Sequence, residues 1–184
     1  MMRPAQPTDA PVVLELMYTA IGDIAHTLTG TTNKEQSLLA LRSFFEQTGN
    51  RISYENVFVE ERDHQVIGFV LSYHGSQIAS LDAPLIQRVQ ELGQDPTAIV
   101  PEARDDEYYL DSLAVDARYQ GQGIGTILIK AFEKRAQQLG HSKVMLIVDT
   151  ANPKAKQLYE RLGYTEDGNI KVSGHDFYRM IKTV

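Results

Sequence analysis

The chain has no cysteine and no tryptophan among its 184 residues. Without cysteine there is no disulfide framework, no thiolate zinc site and no cysteine nucleophile. The lack also suits a reducing compartment, so a cytoplasmic location is expected. Cations are scarce as well: 18 Lys and Arg face 24 Asp and Glu, a net charge of −6. General nucleic-acid binders neutralise phosphates with surplus Lys and Arg, so no nucleic acid is expected as a partner. No run approaches the ~18 apolar residues of a membrane span. The opening MMRPAQPTDAP lacks the apolar core of a signal peptide, and no membrane partner is expected. No repeat or Ser/Gly linker divides the chain. Residues 1–184 are therefore expected to form a single domain, long enough to bury a core without staples.

Periodicity supplies the elements. A short opening strand leads into a helix with Thr8 as N-cap, Pro11 in its first turn and Asp9 near its positive end. Val12, Val13, Leu16, Met17 and Ala20 recur there at helical spacing. A second helix is expected from Asn33 or Lys34 to about Gln47, with Gly49 as its stop. Val57 and Val59 alternate with polar residues, Asp63-His64-Gln65 turns the chain, and Val66 to Leu71 completes a hairpin. Residues 75–106 then form a long insertion where hairpin loops take roughly 2–5 residues. Leu85, Ile86, Val89 and Leu92 make it amphipathic, hence ordered. The second half reads as strand 108–115, a glycine-rich turn, helix 124–139, apolar strand 143–149, helix 152–162 and strands near 164–172 and 175–183. This order predicts an α/β fold with a mixed (α+β) sheet, and a right-handed crossover where neighbours run parallel.

The turn is the first chemical signal. Arg118-Tyr119-Gln120-Gly121-Gln122-Gly123-Ile124-Gly125-Thr126 follows a strand and opens a helix. N–H groups at a helix start are unpaired, and together with the dipole they favour an anion. Glycine lets the main chain approach that anion closely. A phosphate or pyrophosphate is the expected ligand; a plain tight turn is the alternative, and three glycines at alternate positions speak against it. The spacing is not that of a P-loop, since Gly121 and Gly125 lack it and Thr126-Ile127 follows where that loop has its Lys and Ser/Thr. Nor is it a dinucleotide fingerprint, because Thr126 takes the third glycine position and no acidic residue closes a strand about 20 residues on.

Val115-Asp116-Ala117-Arg118-Tyr119-Gln120-Gly121-Gln122-Gly123-Ile124-Gly125 resembles the R/Q-x-x-G-x-G/A acyl-CoA motif of the GCN5-related N-acetyltransferases, the GNAT superfamily. Asn152-Pro-Lys-Ala155-Lys-Gln-Leu158-Tyr159-Glu-Arg-Leu162-Gly163-Tyr164 is similar to the family's N-x-x-A-x-x-L-Y-x-x-x-G-F helix, and Arg3 to Ala10 looks like its usual start. The close resemblance covers about 107–165; the 75–106 segment is longer than the family's usual connection. The resemblance implies the GNAT-like acyl-CoA N-acyltransferase fold, a central twisted mixed β-sheet flanked by helices. It also implies acetyl-CoA as co-substrate, with no metal, and direct transfer to a primary amine on a small molecule or a protein amino terminus. In the family the strand before the turn parts from the next parallel strand to admit the pantetheine arm. Carried over, the main chain of Leu113, Ala114 and Val115 lines that gap, and Gln120, Gly121, Gln122, Gly123, Ile124, Gly125 and Thr126 hold the pyrophosphate. Arg118 either contacts phosphate or braces the turn. Asn152 caps a helix and is a candidate cofactor contact. Lys154 and Lys156 either meet the 3′-phosphate or are solvated. The family often forms homodimers, which leaves the insertion open as an interface or a lid.

Tyr159 matches the motif's tyrosine and is the candidate acid, since a phenol stays protonated at neutral pH. Its alternative is a packed core residue, because Ala155, Leu158, Tyr159 and Leu162 share a helical face. Asp111 and Glu107 are the candidate bases. Alternation places Glu107, Tyr109, Asp111, Leu113 and Val115 on one strand face, with Asp111 nearer the gap and Glu107 nearer the rim. The acidic run of Glu102, Asp105, Asp106 and Glu107 is either a cleft mouth that attracts a cationic acceptor or a solvated acidic loop. The five histidines show no ligand spacing; His175 alone is placed to reach the cleft. A non-catalytic acyl-CoA-binding module on the same fold is the competing reading.

Overall fold

Strands with alternating or continuous apolar residues assemble into one seven-stranded sheet, and a computed structural model describes it over residues 1–184. The strands are β1 (Met2–Pro4), β2 (Val57–Arg62), β3 (Gln65–His74), β4 (Tyr108–Val115), β5 (Lys143–Asp149), β6 (Thr165–Val172) and β7 (His175–Thr183). Their order is β1-β2-β3-β4-β5-β7-β6. Only β4 and β5 run parallel. The helices are α1 (Ala10–Ile21), α2 (Ile24–Thr29), α3 (Lys34–Phe45), α4 (Ile78–Glu91), α5 (Ile124–Gln138) and α6 (Pro153–Arg161).

Each sheet face buries its own core. On one, Val13 and Met17 of α1, Leu28 of α2, Leu41 of α3 and Leu85 of α4 pack against Phe69, Tyr109 and Met145. On the other, Leu128 and Phe132 of α5 pack against Val70, Leu110, Leu146 and Tyr164. Two hairpin turns use paired positive φ values, at Asp63 and His64 (47° and 60°) and at Ser173 and Gly174 (47° and 84°). These are the dihedral signs that match the twist of two-residue hairpins.

The insertion is ordered, as its apolar stripe predicts, and α4 completes the first core. Its two ends meet at Gly75, whose N–H donates to the Glu107 carbonyl (2.7 Å). A Cβ on Gly75 would lie 1.9 Å from the Arg104 carbonyl oxygen, so only glycine closes this neck. The sequence gives no sign of α2, six residues that end at the left-handed Gly30. A helix that short carries too little periodicity to register.

One expectation needs correction. The β3–β4 register shifts: Leu71 faces Ser112 but Ser72 faces Leu110, so Asp111 is an extra, bulged residue. A bulge reverses the alternation beyond it. Tyr109 therefore packs in the α1–α4 core, whereas Leu113 and Val115 pack toward α5. The five residues 107, 109, 111, 113 and 115 do not share one face.

Candidate active site

The bulge also marks where the sheet opens. β4 and β5 pair only from Tyr108–Val144 to Leu110–Leu146, although β5 continues to Asp149. From Ser112 to Val115 the main chain of β4, Leu113, Ala114 and Val115 included, pairs with β3 on one side and has no strand on the other. A cleft of about 480 Å³ lies here. It brings together Asp111, Leu113, Asn152 and Tyr159 of the expected site residues, and His175 joins them.

Beyond β4 stands the glycine turn. Gln120 Nε2 donates to the Val115 carbonyl (3.0 Å) and ties the turn to the strand. Gly121 and Gly123 take positive φ (76° and 79°), and a Cβ on either, or on Gly125, would meet nothing within 4 Å. Within the chain, hydrogen bonds engage the N–H groups of Tyr119 and Gln120 before the turn and of Ile127 after it. None takes those of residues 121–126, Gln122 and Thr126 included. Buried Ile124 anchors the turn to the α5 core. Open space around a row of free donors at the start of a 15-residue helix fits a pyrophosphate. Arg118 braces the turn: its guanidinium pairs with Asp116 (2.7 Å) and lies over Tyr119.

Asn152 caps α6 by accepting from the Ala155 N–H (3.1 Å). That cap sets the helix so that Tyr159, two turns on, reaches the cleft. Burial pushes the Tyr159 phenol up to about 12, and its ring packs edge-on against Tyr164 (5.9 Å). Lys156 is occupied by Glu166 (2.9 Å) and by the Tyr178 ring (4.4 Å).

The acidic run behaves differently from expectation. Glu107 does not line the cleft and is fully buried. It accepts from the Arg104 N–H (2.7 Å) and pairs with Arg179 (2.8 Å) and Lys143 (3.1 Å). Burial pushes its pKa up, but these donors outweigh that and hold the carboxyl below its usual range. The two candidate bases are thus separated: Asp111 is at the cleft and Glu107 is inside an ion-pair cluster. Asp106 is paired with Lys143 (3.2 Å), and Glu102 is buried against Arg51 (2.6 Å) and the Tyr109 hydroxyl. Such paired carboxylates do not form a free acidic mouth; Asp105 alone stays exposed and unpaired. The charges on the cleft wall are instead Asp23, Glu102, Asp111 and Asp149 against a single cation, Arg51. Arg51 had no sequence signal, because its three acidic partners lie 31, 51 and 60 residues away. The outer walls, α2 and the β6–β7 turn, are joined by the Thr27 and Ser173 hydroxyls (2.8 Å).

Known proteins agree with this geometry. A profile of the acetyltransferase (GNAT) family matches residues 24–164. A solved N-acetyltransferase from Staphylococcus aureus Mu50 is 28% identical, with a TM-score of 0.85 over 99% of this chain and 100% of that one. Two curated relatives match over shorter stretches. Spermine/spermidine N(1)-acetyltransferase of Bacillus subtilis (strain 168) is 33% identical over 67 residues, 36% of this chain and 44% of that protein. N-alpha-acetyltransferase 30 of Xenopus laevis is 36% identical over 62 residues, 34% of this chain and 23% of that protein. The matched segments thus span less than half the length of either curated relative. With its profile match, its sheet parted after Leu110 and its turn of free amides, the chain belongs to the GNAT acetyltransferase family.

Proposed function

We propose that the chain transfers the acetyl group of acetyl-CoA directly to a primary amine, on a small molecule or a polypeptide amino terminus. The observation that carries this reading is the cleft where β4 leaves β5, with the free amides beyond it and Asp111 and Tyr159 on its wall. Acetyl-CoA supplies an activated thioester carbonyl when bound. Residues 120–126 hold its pyrophosphate through main-chain N–H groups. The unpaired edge of Leu113 to Val115 aligns the arm and offers a donor to the carbonyl oxygen. Asp111 takes the proton of the incoming ammonium group. Tyr159 keeps its proton at neutral pH because burial holds it, as an acid toward a departing thiolate requires. Four carboxylates against one guanidinium on the wall favour an acceptor that carries positive charge.

Thiol release from acetyl-CoA across a panel of mono-, di- and polyamines and short peptides tests the reading. Turnover with a cationic amine, depressed by Asp111→Asn, is expected. Binding of acetyl-CoA without release for any acceptor would sink the enzyme reading and favour a binding module.

A further inference from the structure

Arg51 lies between α3 and β2 with its side chain 3% exposed. Its guanidinium meets Asp111 (2.5 Å), Glu102 (2.6 Å) and Asp82 (3.6 Å). The Tyr73 hydroxyl donates to the same Asp111 oxygen, and Tyr109 donates to Glu102. Arg179 holds the Glu102 main-chain carbonyl (2.7 Å) from β7. Three carboxylates on one guanidinium leave excess negative charge away from water, which favours keeping a proton in the cluster. Asp82 is its least satisfied member, with Oδ1 buried and without a hydrogen-bond partner. Asp82 belongs to α4, and the Leu81 carbonyl of the same helix accepts the Arg51 N–H (3.0 Å). The insertion therefore grips Arg51 by main chain and side chain, while the far end of the cluster opens into the cleft at Asp111.

We propose that Arg51 and Asp82 are positioning residues for the transfer: α4 holds Arg51, Arg51 and Tyr73 fix one oxygen of Asp111, and the cluster as a unit accommodates the proton taken from the amine. The inference rests on Asp111 as the base in the reading above. In that step the ammonium N–H bond breaks, nitrogen keeps the electron pair, and one carboxylate of the cluster becomes a carboxyl. Burial, partly offset by Arg51, pushes Asp82 up to about 6, which puts a protonation of the cluster close to neutrality.

The test compares kcat against pH for the wild type, Asp82→Asn and Tyr73→Phe with one amine and saturating acetyl-CoA. Asp82→Asn removes negative charge, so its acid limb moves to lower pH. At pH 5.5 it should retain about threefold more of its own plateau than the wild type. Tyr73→Phe removes a donor to the carboxylate, so its limb moves the opposite way. KM for acetyl-CoA should stay within about twofold in both, because neither residue touches the amide turn. A role in folding alone would not shift the two limbs in opposite directions. A folded Asp82→Asn protein whose profile superimposes on the wild type overturns the proposal. Carboxyl carbon resonances provide a readout independent of turnover: one aspartate should titrate near pH 6 and vanish in Asp82→Asn. An Asp82 that titrates like an exposed carboxylate also overturns it. Wild-type protein that releases no thiol with any amine instead removes the base reading beneath it.

Discussion

Tyr159 shows how one side chain serves packing and chemistry together. Its ring packs edge-on against Tyr164 beside the α5 core, while the residue lines the cleft and its phenol is perturbed by burial alone. Tyr159→Phe keeps the ring and removes only the acid. Melting temperature and KM for acetyl-CoA should hardly change, and kcat should fall by about a hundredfold. Steady-state kinetics at pH 7.5 read this directly. A kcat within a factor of two of the wild type would assign the proton to water. Asn152 admits a similar separation. Asn152→Ala loses the bond to the Ala155 N–H and should cost about 1 kcal/mol of stability, read as a lower denaturation midpoint.

At the scale of elements, two glycines matter for opposite reasons. Gly123 has a left-handed backbone in open space, so Gly123→Ala meets no atom and costs about 1 kcal/mol of strain. Its methyl group stands where a pyrophosphate would approach, so KM for acetyl-CoA should rise at least about tenfold while the fold persists. Gly75 has no such backbone demand; its added carbon would strike the Arg104 carbonyl. Gly75→Ala should destabilise by about 3 kcal/mol or more by forcing the neck of the insertion apart. Thermal melts of the two variants should therefore differ sharply. The same elements show what was legible beforehand. The hairpins, the glycine turn and α6 were readable because periodicity and caps are local signals, as at Asn152-Pro153. The bulge at Asp111 was not, since it depends on how β3 and β4 meet. Nor was the pairing of Glu107 with Arg179, 72 residues apart, which turned a candidate base into a buried anchor.

For the whole molecule, paired and buried carboxylates set a pH window. Asp9, held down first by its hydrogen bond to Arg3, and Glu107, held down by its donors against burial, have lowered folded-state values. Their stabilisation is present above the unfolded value of about 4 and is lost as pH falls below it. Asp82 has the reverse sign. Its folded value, pushed up to about 6 first by burial, means its contribution is complete below about pH 4 and is lost as pH rises through 6. A shift from near 4 to near 6 corresponds to at most about 3 kcal/mol. His141, lowered by burial and then by His74, loses stability as pH falls below about 6.5 and so opposes Asp82 over part of that range. The variant Asp82→Asn isolates the Asp82 contribution, because His141 is unchanged in it. Denaturant titrations from pH 4 to 8 should show the variant gaining on the wild type as pH rises, with most of the gain between pH 5 and 7. Two curves that stay parallel over that interval would mean that Arg51 neutralises Asp82 fully, and that the excess charge of the cluster is borne by Asp111 and Glu102.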